Sequence, residues 1–167
     1  MIGISVTSSL NPKLTPICAS NSIPVNDADI VTVCPDTEVM TRQNLPYFVG
    51  ISGQTAGTTG LSMHLVVIPP GATAAPHLHQ AFETGIYLLE GQVETRYGKE
   101  LEKSSINQAG DFLFIPPGVP HTAINLSQTE PARAIVARND PNEQENVVPY
   151  NIQQQPEKSE SLVPAAD

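Results

Sequence analysis

Short apolar runs separated by turn-forming residues dominate the chain between residues 29 and 150. The runs are rich in Val, Ile, Tyr and Phe, and Gly, Pro or Asn bounds many of them, as is typical of β-strands joined by turns. Only residues 35–44 offer a case for a helix, and Pro46 follows them closely. Many short strands at regular spacing predict an all-β sandwich, jelly roll or barrel. The predicted strands are residues 30–34, 47–52, 61–68, 83–90, 93–97, 104–106, 111–115, 121–125, 133–138 and 147–150.

The two ends of the chain lack this pattern. Residues 1–27 are rich in Ser, Asn and Pro, and we expect them to form an irregular N-terminal arm. Residues 151–167 are polar, with three consecutive Gln and two Pro, and we expect a flexible C-terminal tail. The 167 residues suit one domain with a real core, which we assign to residues 28–150.

Charge and cysteine content narrow the function and the compartment. Eight basic residues face seventeen acidic ones, so the formal net charge is −9. Nucleic acids and anionic membranes need Lys and Arg clusters, so neither is an expected partner. The two cysteines, Cys18 and Cys34, lie outside any metal or redox motif, and we expect reduced thiols. With no apolar run of signal-peptide length near the N-terminus, the sequence predicts a cytoplasmic location.

Three of the four histidines lie in patterned segments. His77 and His79 are two residues apart, so in a strand both imidazoles would point to the same face and could chelate one metal ion. Further along, a predicted strand ends at Pro116-Pro117-Gly118, and a new strand begins at His121. This turn would return His121 to the side of the preceding strand, within reach of the first pair.

The two segments resemble the two motifs of the cupin family. Gly71 to Glu83, with Gly91, resembles the first motif, G-x5-H-x-H-x3-E followed by Gly, and Gly110 to Asn125 matches the second, G-x5-P-x-G-x2-H-x3-N. The resemblance implies a small antiparallel β-barrel or jelly roll, also called a double-stranded β-helix. It also implies one divalent transition metal, Mn, Fe, Ni, Co or Zn, held by His77, His79, Glu83 and His121. Such a ligand set leaves coordination positions open for substrate or water.

One departure from the first motif leaves the fourth ligand open. Seven residues separate Glu83 from Gly91, where the motif has six. Counting back from Gly91 puts Thr84 at the ligand position, whereas counting forward from His79 puts Glu83 there. A β-bulge at Gly85 would absorb the extra residue and favours Glu83. The alternative is a site of three histidines. His64 matches neither motif and is interpreted as structural or solvent-facing.

The resemblance implies a function only coarsely. The first hypothesis is a metal-dependent enzyme, dioxygenase-like or of other metal chemistry, that acts on a small oxygenated or anionic molecule in the barrel. No catalytic residue beyond the metal ligands can be assigned. The alternative is a non-catalytic module that binds a small ligand, with a structural metal or none. We also expect a homodimer paired through outer sheet faces, with residues 30–34 as an available edge strand.

Overall fold

The computed structural model describes residues 30–142 and 146–152. The predicted arm and almost all of the predicted tail therefore lie outside the described residues. Eleven strands and one short helix make up the described chain. They are β1 (Glu38–Met40), β2 (Pro46–Ile51), α1 (Gly53–Ala56), β3 (Ser62–Ile68), β4 (His77–His79), β5 (Thr84–Glu90), β6 (Gln92–Tyr97), β7 (Lys103–Gln108), β8 (Phe112–Ile115), β9 (His121–Asn125), β10 (Ala132–Arg138) and β11 (Val147–Pro149).

The strands form two antiparallel sheets. One has six strands in the order β1-β2-β3-β10-β5-β8, and the other has five in the order β11-β4-β9-β6-β7. Side chains from both sheets meet in a shared core that includes Ile68, Leu88 and Ala134 from the first sheet and Val93 from the second. The predicted all-β jelly-roll class is confirmed, although within the described residues no strand joins the two sheets into a closed barrel.

Strand β10 shows how the sequence sets the two faces of a sheet. Its residues alternate between buried and more exposed positions, with Ala132, Ala134, Val136 and Arg138 buried. Successive side chains in a strand point to opposite faces, so these four residues share the inner face. Three small or branched apolar residues pack well there. The fourth, Arg138, carries a charge into the interior.

The N-terminal part of the described chain departs from two predictions. Residues 30–34 are not a strand, and residues 35–44 contain β1 and a turn rather than a helix. All residues of β1 are exposed, and the strand pairs with β2. Strand β1 therefore forms because β2 offers a partner, and not because of an apolar pattern of its own. The helix instead begins after Ser52, whose side chain accepts a hydrogen bond from the Thr55 N–H in a capping box. No helix among the described residues is long and apolar enough to span a membrane.

The extra residue of the first motif lies near the end of β5. Arg133 pairs with Glu90 and Ala134 pairs with Leu88, so Leu89 is the unmatched residue. Gly85 pairs regularly with Ala137 and with Phe114 on the other side, so the predicted bulge at Gly85 is wrong. Because the ladder is regular from Thr84 to Leu88, the alternation of strand faces carries through that whole stretch.

Cys34 is disulfide-bonded, which contradicts the expectation of reduced thiols. Cys18 lies outside the described residues. The prediction failed because neither cysteine stands in a local motif, and a disulfide depends on which segments the fold brings together.

Candidate metal centre

Three histidines converge on the inner face of the five-stranded sheet. His77 and His79 lie on the same side of β4, and His121, the first residue of β9, pairs with His77. All three are buried. Their ring centroids lie 4.3 to 5.5 Å apart, and one nitrogen from each lies within 4.8 Å of the others. The convergence predicted from the spacing of these histidines is confirmed.

Backbone carbonyls fix the orientation of two of the rings. His77 Nδ1 lies 2.8 Å from the Ala75 carbonyl oxygen, and His121 Nδ1 lies 2.8 Å from the Val119 carbonyl oxygen. A carbonyl oxygen can only accept, so each Nδ1 carries the proton and each Nε2 has a free lone pair. Histidines that bind a metal through one ring nitrogen are typically oriented by a hydrogen bond at the other nitrogen.

His79 provides a test of whether a metal fits. Its Nε2 is buried and has no hydrogen-bond partner. A buried polar atom without a partner costs about 1–3 kcal/mol, so most proteins avoid one. A metal ion shared with the other two imidazoles would satisfy this atom. The donor set and the orphaned nitrogen therefore fit a divalent transition metal.

Burial keeps the three imidazoles neutral. It lowers the pKa of His77 to about 3, with further contributions from His121 and Arg138. Burial followed by the Arg138 charge lowers the pKa of His79 to about 2, and burial also lowers the pKa of His121. Since only a neutral imidazole can donate its lone pair, protons compete weakly with a metal at neutral pH.

Glu83 is not part of this cluster. It precedes β5 and is exposed, and its backbone N–H donates to Asn139 Oδ1 at 2.9 Å. Thr84 instead turns inward, is 1% exposed and lines the central cavity. The position counted back from Gly91 is therefore the inward one, and the structure groups three of the four predicted ligands. Glu83 points outward because the bulge falls at Leu89 and not at Gly85, so Thr84 shares the inner face with Leu88.

The central cavity lies between the two sheets next to the histidines. Its volume is about 100 Å³, and most of its wall is aliphatic, with Val66, Ile86 and Leu88 among the side chains. His77, His121, Thr84 and Arg138 are also in the wall. Arg138 was not predicted as a functional residue. The alternation along β10 was the available signal, because it places Arg138 on the same face as Ala134 and Val136.

His64 and Asn125 have structural roles. His64 is buried away from the cluster, accepts a hydrogen bond from the Gly50 N–H at Nδ1 and packs edge-on against Tyr47. Asn125 Nδ2 contacts three carbonyl oxygens, and its Oδ1 accepts from the Ser127 N–H. Both therefore stabilise the framework around the site.

The chain is similar to known proteins in sequence and in fold. The sequence profile described as a cupin domain matches residues 64–138, which include all three clustered histidines. Germin-like protein 3-5 of Oryza sativa subsp. japonica is 37% identical over 90 residues, 51% of this chain and 39% of the relative. Oxalate oxidase GF-3.8 of Triticum aestivum is 29% identical over 110 residues, 62% of this chain and 46% of the relative. The chain thus spans less than half the length of these curated relatives.

Solved structures support the fold alone. The polyketide cyclase RemF from Streptomyces resistomycificus aligns with a TM-score of 0.60 at 21% identity, covering 72% of this chain and 85% of RemF. An oxalate oxidase aligns with a TM-score of 0.53 at 23% identity, covering 65% of this chain and 56% of the oxidase. At this level of identity the chemistry of the neighbours does not transfer.

Proposed function

Because the chain carries a single cupin domain, we propose that it is a metal-dependent cupin acting on a small oxygenated or anionic molecule. His77, His79 and His121 would hold one divalent transition metal, Mn, Fe, Ni, Co or Zn. The observation that carries this proposal is the buried cluster of three neutral imidazoles with an unpartnered His79 Nε2. Glu83 is left out of the proposed ligand set because it is exposed.

The residues around the cluster have separate tasks in this proposal. The carbonyls of Ala75 and Val119 hold the rings of His77 and His121 in place before any metal binds. The aliphatic cavity wall excludes water and so strengthens electrostatic interactions inside. A metal with three protein ligands keeps positions open and, when bound, supplies Lewis acidity or oxygen activation.

An enzyme of oxidoreductase type, dioxygenase-like, is the first candidate. Relatives named oxalate oxidase support this choice, although the chain spans less than half of their length. The second candidate is a non-catalytic module that binds a small ligand. The largely aliphatic wall favours this alternative, since such a wall binds without supplying acid–base groups.

Metal reconstitution tests the proposal. Protein stripped with a chelator is titrated by calorimetry with Mn²⁺, Fe²⁺, Co²⁺, Ni²⁺ and Zn²⁺. The proposal requires one site per chain for at least one of these ions, and no binding of any of them contradicts it. Oxygen uptake and product formation with small carboxylates then separate the enzyme from the module.

We further propose a homodimer formed through the outer face of the six-stranded sheet. Phe112 is 82% exposed and Phe114 is 59% exposed on β8, and Tyr87 stacks against Phe112. Met63 on β3 is also exposed on the outer side. A second copy of the same face would cover this apolar surface symmetrically. Residues 30–34, expected to supply an edge strand, have no part in this version.

The compartment is also a proposal. The sequence predicts a cytoplasmic location, but the disulfide at Cys34 favours an oxidising compartment, where such bonds persist. To test the cytoplasmic location, free thiols are alkylated as the cells are lysed, and the number of alkylated cysteines in this protein is then measured. A cytoplasmic location requires both cysteines to be reduced and therefore alkylated.

A further inference from the structure

We propose that the cavity binds a monocarboxylate with a short aliphatic body, and that Arg138 and Thr84 hold its carboxylate beside the three histidines. This inference rests on the proposed function and deepens it, because it names the substrate class and two residues that select for it. Neither residue is a metal ligand in the proposal. Both act on the bound molecule directly.

Thr84 supplies the first observation. Its side chain is 1% exposed, lines the cavity and has an Oγ1 with no hydrogen-bond partner. A hydroxyl buried in this way is unfavourable unless a bound molecule satisfies it. The hydroxyl can donate to a carboxylate oxygen, whereas the aliphatic side chains around it have no acceptor atom.

Arg138 supplies the second observation. It pairs directly with Thr84 across the β10–β5 ladder, so the two side chains are neighbours on the inner face. Arg138 is 9% exposed and lines the same cavity. It therefore shares that lining with His77 and His121, and its charge contributes to lowering the pKa of all three clustered histidines.

Charge balance points to an anion in this part of the cavity. A divalent ion held by three neutral imidazoles keeps its full charge, and a guanidinium close by repels it. An anion lying between the two would be attracted by both. Planar guanidinium groups bind carboxylates especially well, because two N–H groups can donate to the two oxygens.

The cavity's own carboxylate lies elsewhere. Among the described lining residues, Asp111 alone carries a carboxyl group. The Asp111 carbonyl accepts a hydrogen bond from the Leu88 N–H. Leu88 lies four residues along β5 from Thr84, which corresponds to about 13 Å at the usual rise of a strand. Its Oδ2 also accepts from the Gln108 N–H at 2.8 Å. Asp111 is therefore placed to close a hairpin at the other end of the cavity.

The rest of the wall sets the body of the ligand. Next to the polar end, the wall is mostly aliphatic, with Ile86, Leu88 and Val136 among its side chains. Besides Thr84, the wall also contains uncharged polar residues, which are Thr41, Gln43, Thr95 and Asn107. Among the described lining residues Arg138 is the one Lys or Arg, so the second charge of a dicarboxylate would be buried without a cationic partner, which is costly. A short hydrocarbon chain would gain from burial, and a cavity of about 100 Å³ limits its length.

Wild-type protein tests the inference without any substitution. Calorimetric titration of the metal-loaded protein compares sodium butyrate with butyramide, a neutral molecule of nearly the same shape. Butyrate should bind at least about tenfold tighter, since charge-assisted hydrogen bonds are the stronger ones. Acetate, two methylene groups shorter, should bind about tenfold more weakly than butyrate. Equal affinity for butyrate and butyramide, or acetate binding tighter than butyrate, would overturn the inference.

Substitutions then assign the carboxylate subsite to its residues. Arg138→Met should weaken butyrate binding at least about tenfold, and Thr84→Val should weaken it severalfold. Arg133→Met is the matched control, because Arg133 lies on the same strand, faces outward and pairs with Glu90. If Arg138→Met and Arg133→Met bind butyrate alike, the assignment of Arg138 is wrong.

Metal content, measured on the same samples, separates this inference from the proposed function. Wild-type protein without stoichiometric metal would contradict the metal site. It would leave the comparison of Arg138 with Arg133, made on metal-free protein, as the independent test of the anion subsite.

Discussion

At the scale of single residues, the direction of one side chain decides the character of the site. Thr84 turns inward and Glu83 outward, so the histidine cluster has a hydroxyl and a guanidinium nearby instead of a carboxylate ligand. The spacing of His77 and His79, the turn before His121 and the resemblance to the two cupin motifs together predicted the cluster. The sequence could not decide between Glu83 and Thr84, because the bulge falls at Leu89, a residue with no turn preference, and not at Gly85.

The histidines also make the stability of the metal-free protein depend on pH. The pKa of His77 is about 3 and that of His79 about 2 in the folded chain, against about 6.5 for an unfolded histidine. As the pH falls below about 6.5, the unfolded chain binds protons that the folded chain does not, so acid favours unfolding. Between pH 6.5 and 5.5 we expect a loss of about 1 kcal/mol for each of these two histidines.

Urea unfolding in the presence of a chelator, at a series of pH values, measures this loss. His79→Gln is the comparison, because it removes one of the titrating groups. Its free energy of unfolding should fall less steeply with acid than that of the wild type. Identical slopes for the two proteins would show that burial of His79 does not carry the effect.

At the scale of secondary-structure elements, the chain shows where pattern is sufficient and where pairing decides. Strand β9 has the predicted bounds, and β10 differs from its prediction by one residue, because turn-forming residues lie next to both strands in the sequence. Strand β1 was missed because its residues are exposed and it exists through its pairing with β2. Residues 30–34 have β-forming composition without forming a strand. Propensity alone does not supply a partner.

Asn125 links the end of β9 to neighbouring segments, and its replacement should show how much that link contributes. Its Nδ2 donates to the carbonyls of Ile68, Pro69 and Glu130 at 2.8 to 3.2 Å. Asn125→Ala removes these bonds in a buried place, so we expect the free energy of unfolding to fall by about 3 kcal/mol.

Asn139→Ala is the control for Asn125→Ala. Asn139 is exposed and accepts one hydrogen bond, from the Glu83 N–H. Its loss should cost about 1 kcal/mol or less in the same chemical unfolding experiment. Equal losses for the two variants would mean that Asn125 is not the structural link described above.

At the scale of the whole molecule, the two sheets have different inner and outer chemistry. Aliphatic inner faces enclose the cavity, and the six-stranded sheet also presents apolar side chains outward, including Phe112 and Phe114. The jelly roll predicted from the two motifs accounts for the aliphatic inner faces, because such a fold packs two sheets against each other. The outer apolar face was not apparent from the sequence, because residues 112–115 are all apolar and their pattern does not distinguish the inner face from the outer one.

Phe114→Asp tests whether this outer face pairs two copies of the chain. A charge in the centre of an apolar interface is costly, so we expect the variant to be monomeric and the wild type dimeric by light scattering at micromolar concentration. Ile106→Asp is the control, since Ile106 is similarly exposed, at 58%, but lies on the five-stranded sheet. A monomeric wild type, or dissociation by Ile106→Asp alone, would contradict the proposed interface.

The most direct test of the account is elemental analysis of protein purified without chelators or a metal-affinity step. We predict about one transition-metal ion per chain in the wild type. His77→Ala, His79→Ala and His121→Ala should each lose it, because each removes one of the clustered nitrogens. His64→Ala and Glu83→Gln should retain it, since neither side chain reaches the cluster. Full metal occupancy in His121→Ala, or loss of metal in Glu83→Gln, would contradict the three-histidine site.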